Sequence, residues 1–321
     1  MKQKHIFGPV PSRRLGLSLG VDLLSFKTCT LDCAYCECGA TTNKTTQRKE
    51  YVSTADIKAE LAEILEQSPK LDYITFAGSG EPCLASNLGE VISYVKENWP
   101  TYKIAILTNA TLIYDKTIQK EIALADLIVP SIDAVSQDVF EKINLPDTKL
   151  EIEKIISGLI EFSKKFEGDI WAEVFVVPGI NDTNIELSKI KDVLQKINPK
   201  KVQLNSLDRP GTQSWVTKAS EEALIAIANY LQPLIVEVAS TIIRARNLSP
   251  LNTNREDMIL NTIKRRPCTM ADLEKVCNLK AIEINKYIRR LVHKKIIYSK
   301  IEERGEFLVF DNNAGNIEIA S

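Results

Sequence analysis

A chain of 321 residues with 41 Lys and Arg against 42 Asp and Glu carries almost no net charge, and 26% of its residues are charged. That balance excludes a polybasic coat for nucleic acid and a disordered acidic chain, and the length accommodates one large α/β domain of roughly 250 residues beside a small module. No apolar run approaches the roughly 20 residues a membrane helix needs, and the opening MKQKHIFGPVPSRR lacks the apolar core of a signal peptide, so a cytoplasmic protein without membrane contact is expected. Seven cysteines, an odd number with three crowded together, fit a reducing compartment rather than a disulfide scaffold. The two histidines, His5 and His293, are far apart, which argues against a His-rich metal site or a Ser-His-Asp triad.

Residues 8–16, GPVPSRRLG, hold two prolines and two glycines and read as an ordered loop. Residues 17–24 then alternate, with Ser18, Gly20 and Asp22 on one face and Leu17, Leu19, Val21 and Leu23 on the other, which predicts a first strand. The segment Cys29-Thr-Leu-Asp-Cys33-Ala-Tyr-Cys36 follows at once, and residues 40–50, rich in Thr and Lys, read as a surface loop. Thr54–Leu65 repeats apolar residues at helical spacing, and residues 72–77 form a short β-rich run. Further strands are predicted over 103–108, 127–132, 170–177 and 202–207, each separated from the next by helical periodicity. Such alternation argues for a parallel sheet wound by right-handed crossovers. Six strands suit a partial (β/α)6 barrel, and an open flavodoxin-like sheet shows the same cadence. In a barrel, Glu173, Gln203 and Asn205 line a polar lumen; otherwise they stand at strand ends in water.

The pattern stops near residue 239. The expected organisation is an α/β domain over 1–246, a linker over 247–252 and a small module over 253–321. The module opens on a capping box, Thr253-Asn-Arg-Glu256, with helices predicted over 257–264, from 269, and over 281–294, then a hairpin of 296–302 and 306–310 around Arg304-Gly305. Three helices followed by a hairpin resemble a winged helix. Residues 252–310 hold 13 Lys and Arg against 8 Asp and Glu, and Lys280, Lys286, Arg289, Arg290, Lys294 and Lys295 lie on or beside the third helix. Contact with nucleic-acid phosphates, a solvated basic face and a protein partner all remain open for it. Cys268 and Cys277 are expected to pack in the module's core.

Three thiolates at spacing x3 then x2 on a loop after a strand, Cys29, Cys33 and Cys36, reach three corners of a [4Fe–4S] cube and leave the fourth iron open. A structural zinc knot usually presents two C-x2–4-C pairs, and only Cys38 stands near enough to act as a fourth ligand. Cys38 and Cys83 read as loop or buried thiols. The triad, with Tyr35 just before its last cysteine, resembles the signature of the radical S-adenosylmethionine (SAM) superfamily. The resemblance implies a partial barrel in which the open iron chelates the amino and carboxylate groups of SAM. An electron, from a donor such as flavodoxin or ferredoxin, then cleaves the sulfonium to a 5′-deoxyadenosyl radical.

Gly78, Ser79, Gly80 and Glu81 of the GSGEP stretch resemble the superfamily's GGE-type element, which binds the SAM amino group; the serine departs from the commonest form. By the same resemblance Asn109, Ser131 and Asp133, at successive strand ends, contact ribose and carboxylate. Pro178 and Gly179 of the PGIND stretch, with Tyr35, pack on adenine. Together these motifs span residues 5 to 240. The opening FGPVPSRRLGLSLGVDL and the GEP loop look most like the group related to the wyosine-forming tRNA enzymes, although the second cysteine cluster of those enzymes is absent upstream. RNA, including tRNA, is the substrate class this suggests, with a protein or peptide as the other. Arg13, Arg14 and Arg209 either hold an anionic substrate or the SAM carboxylate, or tie loops together through carboxylates. Two rival readings are an iron–sulfur redox sensor that binds DNA, which has no need of SAM-contact loops, and an activator that makes a radical on a partner protein.

Overall fold

The computed structural model describes residues 5–12, 14–238, 255–302 and 304–311. Arg13, the linker 247–252, Thr253 of the capping box and residues 312–321 lie outside the described residues. Where two prolines read as a loop, the chain instead forms a strand, β1 (Ile6–Ser12). It pairs antiparallel with β2 (Gly16–Val21) at the edge of a sheet, and its register slips between Phe7 and Val10. An edge with a bulge asks for no ladder hydrogen bond from Pro9, so prolines that exclude a helix are tolerated there.

The cysteine segment starts on β3 (Thr28–Cys29), which pairs with β4 (Asn43–Lys44). The stretch read as a surface loop is thus stitched back onto the cysteines. Arg48 fixes it further, donating from Nε to the Cys83 carbonyl at 2.8 Å and pairing with Glu121. Strand and helix then alternate: α1 (Thr54–Leu65), β5 (Tyr73–Phe76), α2 (Leu88–Asn98), β6 (Ile104–Thr108), α3 (Lys116–Ile122), β7 (Leu127–Pro130), α4 (Gln137–Asn144), α5 (Ile152–Ser163), β8 (Asp169–Phe175), α6 (Asn184–Ile197), β9 (Lys201–Asn205), α7 (Glu221–Tyr230) and β10 (Val236–Val238). Ser53, Asp115, Thr183 and Ser220 cap α1, α3, α6 and α7 by accepting from the first-turn amides. Ile57, Leu61 and Leu65 bury one face of α1, at the four-residue spacing that stacks side chains on a helix.

The sheet runs β1-β2-β5-β6-β7-β8-β9-β10, parallel throughout except for β1. All four residues of β7 are buried, as expected of a parallel strand covered on both faces. The sheet is curled. Arg14, in the turn before β2, forms an ion pair with Glu173 on β8, although β5, β6 and β7 stand between those strands. Only a curved sheet brings the two side chains together, and β1 and β10 remain its margins, so this is the expected partial barrel, with β1 and the short β10 added. No helix among the described residues is long and apolar enough to cross a membrane.

The C-terminal part comprises α8 (Arg255–Arg265), β11 (Cys268–Thr269), α9 (Met270–Cys277), α10 (Ala281–His293), β12 (Ile297–Glu302) and β13 (Gly305–Phe310), with strand order β11-β13-β12. Ile259, Ile263, Leu273, Ile284, Leu291 and Leu308 form its own core, in which Cys268 and Cys277 are buried. Among the described residues it touches the barrel at β1 and at the loop after β9. Arg265 lies over the Phe7 ring of β1, 3.8 Å from its centroid. On the loop after β9, Arg209 is 1% exposed and meets Glu37 at 3.1 Å, Asp208 at 3.4 Å and Asp272 of α9 at 3.7 Å. Arg304 reaches Asp208 at 3.2 Å and Asp272 at 2.5 Å. Arg209 therefore ties loops together. Removing a buried charge strands its partners, so Arg209→Ala is expected to cost about 3 kcal/mol. Denaturant unfolding checks this; a cost below about 0.5 kcal/mol would show that Arg304 alone neutralises the two aspartates.

Candidate functional site

The cysteine loop is shaped by the ends of other elements. A helix leaves its last carbonyls without partners, and those of α4 accept from the loop: Asp32 N–H donates to Asn144 O at 3.1 Å and Ala34 N–H to Ile143 O at 2.8 Å. From the other side, Thr212 Oγ1 donates to the Cys33 carbonyl at 2.9 Å. Within the loop, Cys36 N–H donates to Cys33 O at 3.0 Å.

Each of the three thiols then receives its own nitrogen donor, two from other elements and one from the turn before β3. Asn109 Nδ2, at the end of β6, donates to Cys29 Sγ at 3.5 Å; Asn144 Nδ2, the last residue of α4, donates to Cys33 Sγ at 3.5 Å; Lys27 Nζ donates to Cys36 Sγ at 3.0 Å. Hydrogen bonds to sulfur are what tune an iron–sulfur centre. Burial pushes the Cys29 thiol up to about 12 and raises Cys33 well above its usual range. Cys36 is instead lowered to about 5 by the Cys38 thiol donating to it and by Lys27, against the cost of burial. Cys38 is raised in turn by that hydrogen bond, and its Sγ lies 3.8 Å from the Gly78 carbonyl. Cys83 is buried against Thr108. Among the described residues, no group of three His, Cys, Asp or Glu side chains is placed to hold a single metal ion. A four-iron cube takes each thiol at its own corner, and three thiols on one loop, each with its own N–H donor, suit that donor set.

The strand-end residues gather around this loop. Asp22, at the end of β2, accepts from Ser79 N at 3.0 Å and Ser79 Oγ at 2.9 Å. A Cβ on Gly78 would fall 2.2 Å from the Asp22 carboxyl carbon, which explains glycine there. Burial raises the Asp22 pKa, partly offset by Arg265 of α8. Glu81 is 1% exposed and accepts from Thr108 Oγ1 at 2.7 Å, Asn109 N at 2.7 Å and Cys83 N at 2.9 Å. Burial raises its pKa against those three donors.

Asp133 is also buried, and accepts from the Tyr35 hydroxyl, from Asn144 Nδ2 at 2.9 Å and from Phe175 N at 2.9 Å. Burial, the largest influence, raises its pKa. Tyr35 is held on two sides, because its ring also stacks on Phe175 with centroids 3.8 Å apart. Ser131 lines a small cavity with Asn109, Asp133 and Asn144. In the loop after β8, Asn181 Nδ2 donates to the Asp133 and Phe175 carbonyls at 2.9 and 2.8 Å, and Asp182 Oδ1 accepts from Gly179 N at 2.7 Å. Pro178 sits half-buried in the same loop. In the lumen below, Asn205 Nδ2 donates to Glu173 Oε1 at 2.7 Å, so Arg14, Glu173 and Asn205 form one polar group. The buried Gln203 keeps an Oε1 without a protein donor.

The structure thus brings most of the sequence-predicted residues together around the cysteine loop, while Arg209 joins that loop, through Glu37, to the C-terminal part. The sequence pattern does not single out Lys27, Asn144, Asp22 or Asn181 for the site. Lys27 lies only two residues before the triad, yet its spacing is that of any loop lysine, and Asn144 is 111 residues from the cysteine it serves.

Residues 23–188 match the model of the Radical SAM superfamily. Among curated relatives, a UPF0026 protein of Helicobacter pylori is 32% identical over 301 residues, covering 92% of this chain and 94% of its own. A UPF0026 protein of Methanocaldococcus jannaschii is 34% identical over 231 residues, 71% of each chain. A Brachyspira hyodysenteriae protein named GTPase Obg is 34% identical over 306 residues, 94% of this chain, which spans only 44% of that relative's length. No G-x4-G-K-[ST] phosphate loop occurs in the present sequence. Among solved structures, a radical SAM methyltransferase of Sphaerobacter thermophilus superposes with a TM-score of 0.54 at 15% identity, over 69% of this chain and 65% of that one. SuiB of Streptococcus suis bound to S-adenosylmethionine gives 0.51 at 12% identity, over 68% and 50%. At such identities the likeness is one of fold.

Proposed function

The chain belongs to the radical SAM superfamily, and on that premise we propose that it is a cytoplasmic enzyme in which Cys29, Cys33 and Cys36 hold a [4Fe–4S] cluster beside a SAM site. The observation that carries this reading is the loop itself, with three thiols each receiving its own N–H donor where the strand-end loops converge. When bound and reduced by a flavodoxin- or ferredoxin-like donor, the cluster supplies the electron that cleaves SAM to methionine and a 5′-deoxyadenosyl radical. The remaining work belongs to the protein. Gly78, Ser79 and Gly80 let backbone approach the SAM amino group, with Glu81 fixing that loop through its three donors. Asn109, Ser131 and Asp133 serve ribose and carboxylate. Tyr35, Pro178 and Gly179 face adenine, Tyr35 being held by Phe175 and Asp133. Arg14, Glu173, Gln203 and Asn205 line the lumen where a substrate hydrogen is taken.

We further propose RNA, tRNA included, as the substrate class, bound by residues 253–321 acting as a winged helix. The support is the order of helices and antiparallel strands, the 13 basic against 8 acidic residues over 252–310, and contacts with the barrel at both β1 and the β9 loop. Comparing nucleosides from RNA of cells with and without this chain by mass spectrometry tests it. A modified nucleoside found only with the chain present supports RNA. Identical nucleosides, with a mass change on a protein instead, would replace RNA by a polypeptide.

A further inference from the structure

Lys27 is 3% exposed, yet carries an ammonium group. Burying such a charge costs several kcal/mol unless an anion accompanies it. Its Nζ has two acceptors, Cys36 Sγ at 3.0 Å and the neutral Gly39 carbonyl at 2.9 Å, and among the described residues no carboxylate forms an ion pair with it. The side chains that act on its charge are sulfurs, Cys36 first and then Cys38 and Cys29. Its backbone is equally fixed, Lys27 N donating to Thr42 Oγ1 at 3.0 Å while its carbonyl accepts from Asn43 N at 3.1 Å. The side chain is therefore a rigidly anchored cation aimed at one corner of the cysteine triad.

We propose that Lys27 is a positioning residue whose charge sets the electron affinity of the cluster, an inference that rests on the reading of Cys29, Cys33 and Cys36 as its ligands. A core held by three thiolates is anionic and gains a further negative charge when it accepts an electron. A fixed positive charge in hydrogen-bond contact with one ligand sulfur, shielded from water, stabilises the reduced form more than the oxidised form. The neighbouring Asn109 and Asn144 give their sulfurs a dipole; Lys27 gives a full charge.

The test is a redox titration of the anaerobically reconstituted full chain with dithionite, followed by electron paramagnetic resonance in the absence of SAM, with iron and sulfide counted for each sample. Lys27→Gln keeps a donor and removes the charge, Lys27→Met removes both, and Lys27→Arg keeps the charge. Expected are a wild-type-like midpoint for Lys27→Arg and, for the other two, at least a tenfold lower ratio of reduced to oxidised cluster at fixed potential, equivalent to a midpoint lower by about 59 mV or more. Failure of the two neutral variants to load while Lys27→Arg loads also supports the charge. Loaded Lys27→Gln with the wild-type midpoint would overturn the proposal, as would failure of Lys27→Arg to load. A wild-type chain that takes up no cluster would instead overturn the ligand assignment on which it rests.

Discussion

Replacing Cys29, Cys33 and Cys36 together by alanine is expected to take iron from about four per chain to near zero after reconstitution, while the fold survives. The reasoning is local. The loop backbone is held by the α4 carbonyls and by Thr212 rather than by the thiols, so Ala34 N–H still finds Ile143 O at 2.8 Å when the sulfurs are gone. Truncating half-buried side chains at the mouth of a sheet removes little packed area, but loss of the Cys36 sulfur leaves the buried Lys27 ammonium with the Gly39 carbonyl alone, so the thermal midpoint of the folded apo protein should fall by roughly ten degrees. Iron analysis beside circular dichroism separates the two effects. Full iron content in a folded triple variant would place the cluster, or any metal, elsewhere in the chain.

Gly80→Ala is expected to be the most destabilising single substitution near the site, by about 3 kcal/mol. A Cβ there would lie 1.6 Å from the Thr28 carbonyl oxygen and 2.6 Å from its carbon. Backbone on both sides must part. That movement breaks the hydrogen bond from Glu81 N–H to Thr28 O, 3.2 Å long and one residue before the first cysteine of the triad. The substitution should therefore lower iron loading as well as stability. Gly179→Ala is the control, because nothing lies within 4 Å of its Cβ position and only its φ of +77° opposes a side chain; a cost of about 1 kcal/mol is expected. Denaturant midpoints for the two variants check the ranking, and equal costs would contradict the packing argument.

What was legible in the sequence is what depends on neighbours along the chain. The alternation of apolar runs locates the parallel strands within two residues, except that β2 ends at Val21 rather than residue 24, since a strand buried on both faces must be apolar throughout, as Leu127–Pro130 is. The cysteine spacing, the glycine-rich turn after β5 and the Thr269–Asp272 capping box of α9 are likewise local. Two strands of the eight-stranded sheet escaped for physical reasons, besides the two-residue β3, β4 and β11. β1 carries prolines that an edge position tolerates, and β10 is three residues long with Glu237 at its centre. Side-chain partnerships escaped almost entirely. Nothing in the sequence pairs Arg14 with Glu173 across a curled sheet, or seats Arg209 among Glu37, Asp208 and Asp272. Asp133 shows the same limit: it lies just beyond the end of a strand, but its carboxylate is engaged by Tyr35, Asn144 and the Phe175 amide, a set assembled from three separate segments.

The most direct test of the central claim is the yield of 5′-deoxyadenosine when the reconstituted chain is given SAM and dithionite under anaerobic conditions. The account predicts release by the wild-type chain and none by the triple alanine variant. A cluster that forms on the three cysteines but never cleaves SAM, even with RNA or protein substrates supplied, would contradict it and turn attention to an iron–sulfur sensor.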